Sequence, residues 1–313
     1  MDFLRSTSST PQSSSSELPY PEFSSFGSNS EDPLAQLASE VRQLQYTTNT
    51  GLQRRLEHRR QVLEQNQTQD QYLVFTSVPP AQFSKLVDER SRAWKYCRFS
   101  YNIETGILIA RVMIRIAHIA AGVFDTIMGP KLTAMNVLGE IVSYRSTTVE
   151  AGNWEKGADC SWGPPGPNDS HSFVVEIGSS ESARRLALDA HGWLENCPSV
   201  ELVVTITVQH NHPEIILRRW ERVPRAYNIL TRASSRPAQH TAFVKISRTN
   251  NITSVTGAST TINGIATMIR QLVLPFNKVM KRPPRQAPEE DIVITEQDLE
   301  FLANTVWRMQ GLL

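Results

Sequence analysis

The chain has 313 residues, 40% of them hydrophobic, which allows one large domain with a sizeable core or two small ones. Its 32 Lys and Arg against 31 Asp and Glu leave a net charge of +1, which excludes a globally basic nucleic-acid binder. No apolar run reaches the roughly 20 residues of a membrane span, and the three cysteines, Cys97, Cys160 and Cys197, lack metal-site spacing, so reduced thiols in an intracellular protein, nuclear or cytoplasmic, are expected.

Residues 1–31 are rich in serine and proline and carry no apolar signal segment, so a disordered tail is expected. Leu34, Leu37, Val41 and Leu44 follow with 3-4-3 spacing, a heptad seam that breaks at Thr47–Gly51 and resumes weakly with Leu52, Leu56 and Leu63. Residues 32–66 therefore read as a helical extension. It either packs on its own domain or forms a short coiled coil for self-association through residues 34–63. Arg54, Arg55, Arg59 and Arg60 form a solvated helix face, with phosphate contact as the alternative.

A domain spanning 71–313 comes next, with a core at about 95–222. Tyr72–Phe75 reads as a strand and Gln82–Ser91 as a short helix. Trp94–Tyr101 and Ile107–Met113 flank a turn at Asn102–Gly106 and read as a hairpin. The stripe Ile116, Ile119, Ala120, Val123, Phe124 and Ile127 predicts a helix ending before Gly129-Pro130. Val137–Thr148 supplies a further strand or two.

The stretch from Asp159 to Val208 organises the rest. A Pro/Gly turn follows Trp162, and Phe173–Ile177 is short and apolar, as in a buried strand. Ala183, Leu186, Ala190, Trp193 and Leu194 keep helical spacing, and Leu202–Val208 is β-branched. Strand, helix and strand with short links predict a right-handed crossover and two parallel neighbours. Glu176 stands inside the first strand, where a charge needs a partner, and Asp159 precedes the turn before it. Paired carboxylates there suit Mg²⁺ or Mn²⁺. The alternative is a solvated turn residue and a locally hydrogen-bonded strand residue.

This stretch resembles the PD-(D/E)XK, or restriction-endonuclease-like, superfamily in the divergent form found among filamentous-fungal proteins. The matching residues are Ala158-Asp159 with Trp162-Gly-Pro, Val174-Val-Glu176-Ile-Gly, Leu186, Asp189-Ala190, Trp193-Leu194 and Val200–Val208, extending to Ile215–Trp220 and the tail around Leu274-Pro-Phe276, Asp291–Ile294 and Leu299. The resemblance implies an α/β (α+β) core, a central mixed sheet flanked by helices, with Asp159 and Glu176 as metal ligands of a nuclease. Three departures accompany it. Ala158 replaces a proline, Gly178 stands where a lysine would activate water, and His118-Ile119 lacks the acidic residue of a His-Glu pair. Arg184 or Arg185 on the following helix could supply a migrated cation, although arginine is a poor base.

Past Val208 the chain turns basic. Arg218, Arg219, Arg222 and Arg225 interleave with Trp220 and Tyr227, a pattern by which single-stranded nucleic acids are held, against the reading of a core tryptophan beside a solvated face. The basic loop at Lys278–Arg285 can pair with the acidic stretch from Glu289, and Thr295 with Asp298 predicts a capped helix over 296–309. Function divides three ways: a catalytically degraded nuclease-like domain, an active metal-dependent nuclease, or a module binding nucleic acid or protein. The two missing groups favour the first.

Overall fold

The computed structural model describes residues 32–88, 95–144, 147–166, 171–179, 183–223, 238–260 and 265–313. The serine-rich N-terminus, Arg225 and Tyr227 lie outside these. In chain order the elements are α1 (Pro33–Glu40), β1 (Gln43–Gln45), α2 (Asn49–Glu64), β2 (Tyr72–Thr76), α3 (Pro80–Val87), β3 (Cys97–Asn102), β4 (Leu108–Val112) and α4 (Arg115–Ala134). Then come β5 (Val142–Ser143), β6 (Thr148–Ala151), β7 (Trp154–Gly157), β8 (Cys160–Gly163), β9 (Phe173–Ser179), α5 (Ala183–Asn196), β10 (Leu202–Val208) and β11 (Glu214–Arg222). The chain closes with β12 (Ala238–Thr249), β13 (Ile252–Thr260), β14 (Ala266–Ile269), β15 (Leu272–Leu274), α6 (Phe276–Met280), β16 (Ile292–Ile294) and α7 (Glu296–Gln310).

The strands form an eight-stranded sheet ordered β14-β13-β12-β11-β10-β9-β8-β5, a six-stranded sheet ordered β1-β2-β4-β3-β7-β6, and the pair β15-β16. In the larger sheet β8 runs antiparallel to both of its neighbours, β5 and β9. Helix α5 then returns the chain so that β10 lies parallel to β9, with Leu202 opposite Phe173. Helix α4, β5, β8, β9, α5 and β10 form a mixed α/β unit, with β6 and β7 leaving for the other sheet, and β9 and β10 are the parallel neighbours that the strand–helix–strand pattern predicted.

The alternation of β9 divides its residues between two layers. Phe173, Val175 and Ile177 enter a core with α4 and α7, while Val174 enters one with α1, α5 and the inner face of the six-stranded sheet. Trp193 on α5 is fully buried in that second core. On the outer face of the six-stranded sheet, α2 and α3 complete a third. The large sheet therefore has helices α4 and α7 behind it, and α5 with a second sheet in front.

Several expectations change. The heptad seam does not form one helix: α1 ends at Glu40 and Leu44 falls in β1, which pairs parallel with β2. Leu34 and Leu37 are buried against α5, where Gly192 leaves room for them; a Cβ there would meet Leu34 Cγ at 2.6 Å. Leu52, Leu56 and Leu63 pack into the third core. The seam is thus spent inside the chain, and residues 32–66 belong to the domain rather than extending from it. Helix α3 starts earlier than expected, at Pro80, whose fixed φ suits a first helical position. Helix α4 runs through Pro130 instead of stopping before it. The residue ahead is Gly129, which has no Cβ to clash with the proline ring, so the helical conformation there is tolerated. The final helix keeps its capping box, with Thr295 and Asp298 bonding each other's backbone N–H. Arg282 pairs with Glu289 at 2.7 Å, joining the basic loop to the acidic stretch.

Candidate functional site

Asp159 stands one residue before β8, and the antiparallel register that places Cys160 opposite Val175 brings it beside Glu176. The sequence pairing of these two carboxylates is therefore met by the sheet. Asp159 Oδ2 accepts a hydrogen bond from the Ile177 amide at 2.7 Å, fixing its rotamer. Glu176 lies on the α5 face of β9, fully buried, and accepts from Trp193 Nε1 at 2.5 Å. A third carboxylate, Asp189, joins from α5 and is also buried.

What meets these carboxylates comes from the six-stranded sheet. Arg111 on β4 lies between them, with Nη2 at 2.8 Å from Asp159 Oδ2 and in contact with Glu176 Oε2. Its other nitrogen, Nη1, is 3.6 Å from Asp189 Oδ2. Arg98, opposite Arg111 on β3, reaches Asp159 Oδ1 at 3.4 Å. Lys156 on β7 pairs with Asp189 and sits 4.9 Å over the Trp193 ring. Three carboxylates and three cations thus close a neutral network under the second sheet. Burial pushes the Glu176 carboxyl up to about 7; Arg111 pulls it down while Asp189 and Asp159 push it further up. Burial also opposes the Arg111 charge, but Asp159 and Glu176 outweigh it and hold the guanidinium well above its ordinary value.

The residues expected to supply a migrated cation lie elsewhere. Arg184 pairs with Glu40 at 2.7 Å on α1, and Arg185 pairs with Asp70. Gly178 has a packing reason: a Cβ at that position would meet Leu186 Cδ1 at 2.8 Å and Gln71 Oε1 at 3.1 Å. Gln71, fully buried, accepts from the Ser179 amide at 2.9 Å and donates to the Val112 carbonyl at 3.0 Å. The space that a lysine would need is filled.

The donor set does not fit Mg²⁺ or Mn²⁺. A hard divalent ion takes about six oxygens, several of them waters. Here the gap between Asp159 and Glu176 holds a guanidinium, and both carboxylates are sealed from solvent. Among the described residues no three His, Cys, Asp or Glu converge as a metal site.

The nucleic-acid surface expected along β11 does not form among the described residues either. Trp220 is buried, donating Nε1–H to Thr205 Oγ1 at 2.9 Å and meeting His191 and His240 edge-on. Arg218 is buried beside it on the same strand face. Arg219 bonds Thr241 Oγ1 at 2.9 Å and lies 3.6 Å from Glu221. Arg222 donates to the carbonyls of Leu194, Pro198 and Val200, closing the C-terminal end of α5. These arginines work inside the fold, so no aromatic platform is presented by the described part of the segment.

The sequence did carry a signal for one of the missed cations. Arg111 interrupts a strand that is otherwise apolar on both faces, and a lone charge in such a run demands a buried partner, whereas Arg98 alternates with Ser100 and Asn102 as on an ordinary polar face. Lys156 beside Trp154 carried no comparable mark.

No family model matches the chain, and no curated protein matches it. Among solved structures, the chain is similar to a proposed nuclease belonging to DUF820 from Anabaena variabilis ATCC 29413, with 13% identity, 39% of this chain and 71% of that chain covered, and a TM-score of 0.28. At that score the likeness carries no weight. Strand order and the buried network carry the fold and the site.

Proposed function

We propose that this is a nuclease-like domain of the restriction-endonuclease type in which the metal-binding pair has become a structural ion-pair network, so that the domain does not hydrolyse phosphodiesters. One observation supports the reading above the rest: the Arg111 guanidinium lies between Asp159 and Glu176, the two residues that the resemblance assigns to the metal. A cation already bonded to both acceptors competes directly with a divalent ion for the same lone pairs. The burial of all three carboxylates adds that a substrate phosphate has no route to them without parting two packed layers.

A second reading has its own support. Three carboxylates and Lys156 in one cluster are the residue types that an active metal-dependent nuclease uses, and parting the two sheets would expose them. The readings separate in one experiment. Calorimetric titration with Mg²⁺ and Mn²⁺ is expected to give no saturable binding at low millimolar concentration. DNA and RNA of single- and double-stranded form are expected to stay intact with either ion. Cleavage that disappears in Glu176→Ala would establish the second reading and sink the first.

A further inference from the structure

Away from the sealed carboxylates, a groove of about 410 Å³ opens between α2, the segment joining α1 to β1, and β2. Its walls carry Arg42, Arg54, Arg55 and His58, all exposed, and its floor is Tyr72 and Leu73. None of those four wall residues makes a hydrogen bond or ion pair among the described residues. The contrast with the rest of α2 is sharp. Arg60 is held by Glu57 at 2.7 Å and Glu64 at 3.2 Å, and Arg59 bonds Asp70, which Arg185 also holds. Asp70, the carboxylate that lines the groove, is therefore already matched, and the remaining guanidiniums keep their charge.

Such an arrangement costs stability unless something meets it. Arg55 and Arg59 stand four residues apart on one helix, a spacing at which like charges repel. An arginine fork matches phosphate oxygens in pairs, and a concavity of this volume with an apolar floor is of small-ligand size. A nucleic-acid strand would need cations continuing along a track. Instead the next arginines on the helix, Arg59 and Arg60, are committed to Asp70 and to the glutamates Glu57 and Glu64. We propose that this groove binds a small organic polyphosphate, its phosphates on Arg42, Arg54 and Arg55 and its organic part against Leu73. The site is independent of the carboxylate network and of whether that network ever hydrolyses anything.

The test is calorimetry on the full chain at low salt, with ATP and inorganic tripolyphosphate as probes and a thymidine oligonucleotide as competitor. ATP is expected to bind saturably at one site. Arg54→Ala and Arg55→Ala are each expected to weaken it roughly tenfold, the loss of one charge-assisted bond. Arg60→Ala removes the same charge from the same helix and should leave affinity unchanged. Arg42→Ala, on the opposite wall and outside the helix, should repeat the loss without touching α2. Equal competition by tripolyphosphate would place recognition in the phosphates, and preference for ATP would add the floor. Absence of saturable binding, equal weakening by Arg60→Ala, or tighter binding of the oligonucleotide at the same residues would each overturn the proposal.

Discussion

At the scale of single residues, the structure turns on Arg111. Its guanidinium is buried with Asp159 and Glu176, and removing it leaves two carboxylates without their nearest cation. Arg111→Met keeps most of the volume but strands those charges, and should destabilise the fold by about 3–5 kcal/mol in urea unfolding. A change under about 1 kcal/mol would mean that water or Arg98 replaces the lost partner. Glu176 gives a prediction with a sign. Its folded carboxyl is raised from 4.5 to about 7, so the folded state binds the proton more tightly than the unfolded one. Its stabilising contribution is full below pH 4.5 and is lost as pH rises through 7, by roughly 3 kcal/mol in all. Glu176→Gln removes that titration and can still accept from Trp193. The stability difference between pH 5 and pH 8 should therefore be smaller in Glu176→Gln by about 2–3 kcal/mol. Identical pH profiles would show that Glu176 does not titrate in this window.

Among elements, α4 carries the least expected feature. Pro130 sits exposed within the helix and withholds an N–H from it. Pro130→Ala should raise stability by about 1–3 kcal/mol, read from thermal or urea unfolding. Loss of stability instead would assign the proline a packing role. This helix also shows where local reading ends. Its apolar stripe is a short-range signal and was legible, as were the strands around Glu176, the crossover and the cap at Thr295, because each repeats within one or two turns of chain. The end of α4 was misread since glycine before proline changes the usual rule. The seam at Leu34 and Leu37 left two readings open, packing on its own domain or self-association, because spacing says that a face is apolar but not which surface will cover it. Trp220 and its neighbouring arginines stayed open between core and nucleic-acid face for a related reason: strand alternation puts Arg218 and Trp220 on one face, and only the layer above shows that the face is buried. The cationic partner of Glu176, Arg111, lies 65 residues away on the other sheet, and no local pattern encodes such a contact.

For the whole molecule, α5 binds two layers into one unit. It packs on β9 and β10 below and on α1 above, and Trp193 touches Glu176 and Lys156 from opposite sheets. A helix shared in this way couples the two sheets, so unfolding should be a single transition. Far-UV circular dichroism and tryptophan fluorescence should give coincident urea curves. Trp193→Ala opens a cavity at the shared surface and should cost about 3–5 kcal/mol while keeping the curves coincident. Two separated transitions, in either protein, would show that the sheets fold as separate units.

The neutral network also restricts how this sequence can change over time. Any one of its six charged residues, altered alone, leaves an uncompensated charge in the interior, so each first step away from the present set is penalised. Paired changes, one acid with one base, avoid that penalty because coupled neighbours do not add. Positions 111 and 176 are therefore tied in inheritance as well as in space, and a lineage that once adopted the pairing has few single-substitution routes out of it.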